Sequence, residues 1–331
     1  FSTGSPALEA EMLAHLATSP LFGNLRLLNL EDNGLFPGAA ALTEIPPHPY
    51  LEELSIEIPP TGQAEPEALF RSGLFRGGRL KKVRLRSSHG LLDPRMARTI
   101  TRRLHPPELE WLDLVFCQGS TERALAELSV WKTLSSLRHL GLVVNRMDKR
   151  SHVIRLLKGC ENLTSLALNA GPVATKDPLN LLVESGLLGR LERLVLNCFV
   201  ITDGLIEAIT WAASRAGLRH LVLGNCCLPQ GSGSRLAQRA MPWLEVLKVD
   251  GCTKQPGEVR AILDNGGENL QQLHCKDLSM DYMGDDWLSG DRWPVLKWLR
   301  MAPPTEKSTG RLLTHFPSLE LVGNRVFDPL N

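Results

Sequence analysis

Leucines recur along the chain at the fixed spacing L-x-x-L-x-L, which first occurs in the stretch from Leu25 to Leu30. Eleven copies start at intervals of 26 to 29 residues, and 28 of their 33 apolar slots hold leucine. The starting residues are Leu25, Leu51, Leu80, Leu109, Leu137, Leu163, Leu191, Leu218, Leu244, Leu270 and Leu296. A degraded further copy begins at Leu319. Periodicity of this length predicts stacked supersecondary units, because one unit cannot bury its own apolar face.

Each copy predicts a β-strand, a turn and a helix. Side chains alternate along a strand, so the second and third apolar residues of a copy point to one face of the sheet. Helical patterns follow at 94–104, 122–134, 151–157, 177–183, 203–214 and 257–263. Asp93-Pro94 and Asp177-Pro178 place a capping carboxylate before a first-turn proline. The sequence therefore predicts an α/β solenoid, with one parallel sheet on the concave face and helices on the convex face.

No linker interrupts the run of copies, so we expect one domain over residues 1–331. In this organisation residues 1–24 form an N-terminal capping helix segment. Residues 25–318 form eleven repeats, and residues 319–331 form a degraded terminal repeat or C-terminal cap.

The chain resembles the leucine-rich repeat superfamily, whose signature continues with Asn or Cys three residues after the third leucine. That slot holds Asn33, Cys117, Asn145, Cys226 and Cys252. Cys198 lies one position early, and the resemblance implies that it too has a structural role at the turn. The repeats are similar to the long, helix-bearing subtypes, above all the cysteine-containing repeats of F-box substrate receptors, and also those of ribonuclease inhibitor.

Composition excludes several classes of function. A net charge of +1 gives no global attraction to nucleic acid or to a membrane surface. The seven cysteines are an odd number and show no metal-ligand spacing, so we expect free thiols, no metal and no cofactor. Free thiols favour an intracellular protein, cytoplasmic or nuclear. We expect the protein to be a monomer by itself.

No nucleophile elbow, zinc-protease or phosphate-loop motif occurs in the sequence. His274 and Cys275 are adjacent, but strand alternation places their side chains on opposite faces, where they cannot act together. The sequence therefore predicts a protein that is not an enzyme.

The residues that alternate with the core leucines are expected to line the concave face. Small apolar residues, from Gly141 to Val222, fill the middle of this face and predict a shallow trough. Tryptophan, arginine and histidine border it, and the first two types commonly anchor interfaces. The predicted partner-binding residues are Trp111, His139, Arg193, Val195, His220, Val222, Lys248, His274, Trp298 and Arg300.

Charge is also uneven along this face. In repeats three to eleven this face has seven basic residues and two acidic ones, whereas the first two repeats are acidic. The bases are Lys82, Arg84, Arg86, Arg193, Lys248, Lys276 and Arg300; the acids are Asp113 and Asp250, with Glu31, Glu53 and Glu57 in the first repeats.

These patterns predict a scaffold that binds a protein or peptide on its concave face. By resemblance, its most specific form is the substrate-recognition part of an F-box type ubiquitin ligase receptor. The alternatives are a direct regulator of an enzyme, of inhibitor or GTPase-activator type, the ligand-sensing domain of an immune-type receptor, and a stand-alone microbial repeat protein.

Overall fold

A computed structural model describes most of the chain. The described residues are 15, 18–19, 22–31, 45–58, 66–76, 78–88, 90–144, 150–170, 179–240, 242–252, 257–258, 261–262, 267–275, 295–301 and 320–321. Most of the predicted N-terminal capping helix, the slots of Asn33 and Asn145, and the cap of Asp177 lie outside these residues.

Short parallel strands form wherever the leucine pattern predicts them. In several strands alternate residues are buried, as in β4, where Leu112 and Leu114 are 1% and 0% exposed. The strands are β1 Leu27–Leu30, β2 Glu53–Glu57, β3 Lys82–Ser87, β4 Trp111–Phe116, β5 His139–Val144, β6 Ser165–Ala170, β7 Arg193–Asn197, β8 His220–Gly224, β9 Val246–Lys248, β10 Gln272–Cys275, β11 Trp298–Met301 and β12 Glu320–Leu321.

A helix follows most strands and returns the chain to the start of the next strand. The α-helices are α1 Pro66–Arg71, α2 Pro94–Arg103, α3 Glu122–Leu128, α4 Arg150–Gly159, α5 Leu179–Glu184, α6 Asp203–Trp211 and α7 Ser232–Arg239. The predicted start of α2 is confirmed, because the Asp93 carboxylate accepts a hydrogen bond from the Met96 amide at 2.7 Å. Helix α6 starts at Asp203, where the sequence predicts it, and Thr202 is its N-terminal cap.

Two compact units divide the chain, Phe1–Ala174 and Thr175–Asn331. The first unit contains β1 to β6 and the second β7 to β12, with neighbours in sequence also neighbours in the sheet of each unit. Equivalent positions pair in register, so that Leu112 lies opposite Leu140 and Leu194 lies opposite Leu221. The prediction that residues 1–331 form a single domain stays a prediction.

Cysteines at the turn after β8 and β9 have the structural role that the repeat pattern predicts. Cys226 is buried, and its thiol donates a hydrogen bond to the Leu196 carbonyl of the preceding repeat at 3.3 Å. Cys252 does the same to the Leu223 carbonyl at 3.2 Å. These bonds join the turn of each repeat to the strand of the preceding repeat.

The prediction of the same structural role for Cys117 and Cys198 is wrong, because both side chains are exposed. In repeat seven the buried slot holds Phe199, which is 1% exposed, while the Cys198 backbone takes a left-handed conformation with a φ of 63°. A bulky ring therefore fills the space that a small thiol fills in the next two repeats.

A regular pattern of backbone bonds joins successive repeats at the residue just before each strand. Its carbonyl accepts hydrogen bonds from two consecutive amides of the next repeat, as the Lys81 carbonyl does from Glu110 and Trp111 at 2.9 and 3.0 Å. In the first five repeats these residues alternate in charge, as Arg26, Glu52, Lys81, Glu110 and Arg138, and the sixth is the neutral Thr164. The side chains of Glu110 and Arg138 approach to 4.0 Å.

Candidate functional site

The open sheet face is here defined as the side of each sheet that points away from the buried leucines. Strand register places two columns of side chains on it, as the sequence predicts. In the first unit Trp111 lies opposite His139, and His139 lies opposite Ser165. Because the repeat is regular, side chains 26 to 29 residues apart become direct neighbours on this face.

Four polar side chains on β4, β5 and β6 form a connected network on the open sheet face of the first unit. The Nε2 atom of His139 lies 2.9 Å from Oδ1 of Asp113, and its Nδ1 atom lies 2.7 Å from Oγ of Ser165. The indole N–H of Trp111 donates to Oδ2 of Asp113 at 2.9 Å. Both carboxylate oxygens and both ring nitrogens therefore have partners.

The absence of a side chain at Gly141 makes this network possible. A Cβ atom there would lie 1.9 Å from Oδ1 of Asp113, so any larger residue would displace the carboxylate. All six residues of β5 are consequently buried, on the open sheet face as well as on the core face. The floor of the predicted trough is, at this strand, already covered by the protein's own Asp113 and Trp111 side chains.

The charge on Asp113 is stabilised within the network. Burial raises the pKa of Asp113, but hydrogen bonds from His139 and Trp111 and the charges of His139 and Arg84 together hold this pKa below its usual value of 3.8. Asp113 is therefore ionised at neutral pH. An ionised carboxylate can only accept, so the His139 Nε2 atom carries a proton and donates it to Asp113.

Trp111 and His139 stack face to face, with ring centroids 3.5 Å apart and an angle of 11° between the planes. The imidazole lies beneath the indole and is only 2% exposed, so the prediction that His139 borders an open trough is wrong. Trp111 itself is half-buried rather than fully exposed. Stacking and the bond to Asp113 hold its ring in one orientation.

Charges on the open sheet face of the first unit pair with one another. Lys82 lies 2.7 Å from Glu53, and Arg84 and Arg86 lie 3.5 and 4.0 Å from the two oxygens of Glu31. The acidic first two repeats therefore neutralise the basic third repeat. In this unit the basic surplus predicted from the sequence is compensated within the face.

The open sheet face of the second unit is built differently. Val195 and Val222 are opposite each other in the register, with Val195 8% exposed and Val222 half-buried. Arg193 and His220 pair beside them and are both half-buried. Burial lowers the pKa of His220 below its usual value of 6.5, against the opposing effect of the Glu245 carboxylate 3.8 Å away.

The remaining predicted residues of this unit continue the two columns. In one column Lys248 lies opposite His274, and His274 lies opposite Arg300. Trp298 lies on the same strand as Arg300 but belongs to the neighbouring column. Lys248 is 9% exposed, while His274 and Trp298 are half-buried. Register thus brings together the predicted residues of each unit in turn, while their role in binding stays a prediction.

Cysteine, metal and membrane chemistry add little to this picture. None of the seven cysteines is in a disulfide, and the hydrogen bond with Cys226 together with burial raises the pKa of Cys252, which keeps it a thiol. Among the described residues, no group of three or more His, Cys, Asp or Glu side chains could hold a metal ion. Nor does any helix of the described segments have the length and apolar character needed to cross a bilayer.

A depression of about 740 Å³ lies at the edge of the first unit where the strands begin, and sequence analysis did not predict it. It is lined by Lys81, Glu108, Glu110 and Arg138 among others. Lys81 lies 3.9 Å from Glu108, and Arg138 lies 4.0 Å from Glu110. The lining charges face each other in pairs, and the open sheet face remains the better candidate.

Two residues of the network, Asp113 and Ser165, were not predicted as site residues. The signal was present, since Ser165 occupies the same column as His139 one repeat later and Asp113 occupies the adjacent column one repeat earlier. Comparing the two columns side by side, rather than searching for motifs along the chain, would have found both.

Structural comparison identifies the architecture. A chain from the crystal structure of the yeast Rad7 and Elc1 complex matches with a TM-score of 0.56 and 20% identity, over 96% of this chain and 87% of that one. An internalin, InlF of Listeria monocytogenes, aligns over 94% of this chain and 93% of its own with 14% identity. Its TM-score of 0.38 is too low to indicate a shared fold. No family model and no curated protein matches the sequence. The chain has the fold of the leucine-rich repeat superfamily.

Proposed function

We propose that this protein is a recognition scaffold that binds a protein or peptide partner on its open sheet face. The observation that carries the proposal is the fixed orientation of Trp111, which stacks on His139 and donates to Asp113. A half-buried tryptophan held in one rotamer loses little conformational entropy on binding, and tryptophan is enriched among residues that dominate interface energies.

The architecture supports the same proposal. Helices and leucines cover one side of each sheet, and side chains of many types remain on the other, as in repeat proteins that bind through one extended surface. The yeast chain with this fold was crystallised in a complex of two proteins, Rad7 and Elc1. By this similarity we propose that the present chain also binds a protein. In its most specific form, the proposal is that the chain recognises the substrate of an F-box type ubiquitin ligase.

The experiment compares two tryptophans. Proteins captured by the wild-type chain are quantified against those captured by Trp111→Ala, and by Trp211→Ala at the end of α6, where the indole is 52% exposed. Trp111→Ala is expected to weaken binding of the purified partner by about 2 kcal/mol or more. Trp211→Ala is expected to leave it unchanged. Loss of binding in Trp211→Ala alone would move the site to the helix side of the second unit.

A parallel pair of variants tests the second unit. Arg193→Ala on the open sheet face should weaken a partner that binds to this unit, whereas Arg239→Ala on α7, where the side chain pairs with Glu207 at 2.8 Å, should not. For the ligase form, the half-life of the captured partner in cells should lengthen when the chain is removed. An unchanged half-life would remove the ligase role and leave the scaffold.

We also propose an intracellular location, cytoplasmic or nuclear, supported by the seven free cysteines. Thiol titration of the denatured, unreduced protein should then find all seven reactive. Five or fewer would mean a disulfide and an oxidising compartment.

A further inference from the structure

Asp113, His139 and Ser165 stand on three successive strands in the order of a carboxylate, an imidazole and a hydroxyl. Their atoms are connected at 2.9 Å between Asp113 and His139 and at 2.7 Å between His139 and Ser165. We propose that Ser165 is a nucleophile activated by His139 as general base, and that it accepts an acyl group from an activated acyl donor. This covalent chemistry does not depend on the proposed binding function.

The hydrogen-bond directions suit this role. Asp113 is ionised, so it accepts a hydrogen bond from the Nε2–H group of His139, and when the ring is neutral this bond fixes its tautomer. The Nδ1 atom of that tautomer carries a lone pair aimed at the Ser165 hydroxyl. The nitrogens are exchanged relative to the serine hydrolase triad, but the logic of nucleophile, base and orienting carboxylate is the same.

The base of this group is buried, whereas the hydroxyl-bearing residue is partly exposed. His139 is 2% exposed beneath the indole of Trp111, so the base is shielded from water and its plane is fixed. Ser165 is half-buried on the open sheet face. Part of Ser165 is therefore accessible to solvent, from which an acyl donor would approach.

The reaction is balanced without a further reactant. The Ser165 Oγ atom attacks the carbonyl carbon of the donor, and its proton passes to the His139 Nδ1 atom. The bond between the carbonyl carbon and the leaving group breaks, and the leaving group departs with the electron pair. The imidazolium then releases the proton to the leaving group or to solvent, and Ser165 remains as an ester.

The backbone limits which donors can react. The amide of Ser165 donates to the Arg138 carbonyl at 2.9 Å and is therefore unavailable to stabilise the oxyanion. A donor with a good leaving group, such as a thioester or an aryl ester, needs less of that stabilisation. We expect a single acyl transfer to Ser165 rather than rapid turnover.

A matched serine on the same face makes the test internal. Ser55 is also half-buried on the open sheet face of the first unit, but its neighbours in register are Asn29 and Arg84 instead of a histidine. The full chain is treated with p-nitrophenyl acetate, and peptide mass spectrometry follows the acetylation of both serines with time. General-base catalysis predicts that Ser165 reacts roughly 10²-fold faster than Ser55.

Two variants complete the experiment. Ser165→Ala should remove that acetylated peptide and leave the others unchanged. Asp113→Asn leaves Ser165 in place and should reduce the ratio of the Ser165 rate to the Ser55 rate toward one, because the base loses its tautomer control. Equal rates for the two serines in the wild type would overturn the proposal, as would a ratio that is unchanged in Asp113→Asn.

Discussion

The open sheet faces of the two units have the same backbone pattern but different side-chain organisation. In the first unit, Asp113 and His139 bind to each other and to Trp111, and the basic residues lie beside Glu31 and Glu53. In the second unit, valines occupy the middle of the face beside half-buried Arg193 and His220. The repeat therefore fixes where a side chain points, while the identity of its neighbours decides whether its polar groups are used internally.

The two cores should respond alike, in contrast to the two faces. Leu140 in the first unit and Leu221 in the second occupy the same slot and are 1% and 0% exposed. Replacing either with Ala removes buried methyl groups and leaves a cavity, which should lower the free energy of unfolding by about 2–5 kcal/mol. Urea unfolding of the two variants measures both values. A loss in one variant several times that in the other would show that the repeats are not equivalent at their cores.

The next largest difference between the two faces is expected at the position of Gly141. Gly141→Ala forces the Cβ atom against Asp113, so we expect a loss of about 1–3 kcal/mol in the free energy of unfolding. The corresponding slot in β7 holds Val195, which shows that the slot itself tolerates a large residue.

A double variant is the control for this clash. Adding Gly141→Ala to Asp113→Ala removes the carboxylate that the new methyl group would meet. The added cost should then fall below about 0.5 kcal/mol. An undiminished cost would mean that the backbone of β5, and not the network, requires glycine.

The pH dependence of stability should also differ between the units. The folded pKa of His220 lies below its usual value of 6.5, so the unfolded chain takes up the proton more readily and stability falls as pH is lowered from about 6.5 through the folded pKa. The folded pKa of Asp113 lies below 3.8, so its contribution is present above that pH and is lost only as pH falls through the folded pKa.

Thermal unfolding between pH 7 and pH 2 measures both windows. His220→Gln should remove the upper part of the slope, and Asp113→Asn should remove the lower part. The assignment fails if His220→Gln leaves the profile between pH 7 and pH 5 unchanged.

The smallest effect concerns the paired charges of the first unit. Lys82 and Glu53 are 50% and 39% exposed, and an ion pair of this kind contributes about 0–1 kcal/mol. Glu53→Gln should therefore change stability by less than about 1 kcal/mol. It should also make binding of a polyanionic probe to the first unit more sensitive to salt, which titration at two ionic strengths would measure. A stability loss well above this range would mean that the pair is more strongly coupled than its exposure suggests.

The sequence was sufficient for the fold and for the membership of both columns, because a leucine at a fixed period determines which residues alternate with it. It did not predict which of those residues are buried or which of them contact one another. His139 is buried because Trp111 stacks on it and because Gly141 admits Asp113, and these are contacts between side chains of different repeats. Similarly, Phe199 replaces cysteine in a buried slot that the consensus assigns by position alone.

The alternation of charge at the start of the strands in the first five repeats bears on how such a chain can lengthen. Arg26, Glu52, Lys81, Glu110 and Arg138 follow one another on adjacent repeats. Copying one repeat in tandem would set two like charges side by side, which repel each other. Copying two repeats together would preserve the order of signs. The gene segment that can be duplicated without electrostatic penalty is therefore a pair of repeats.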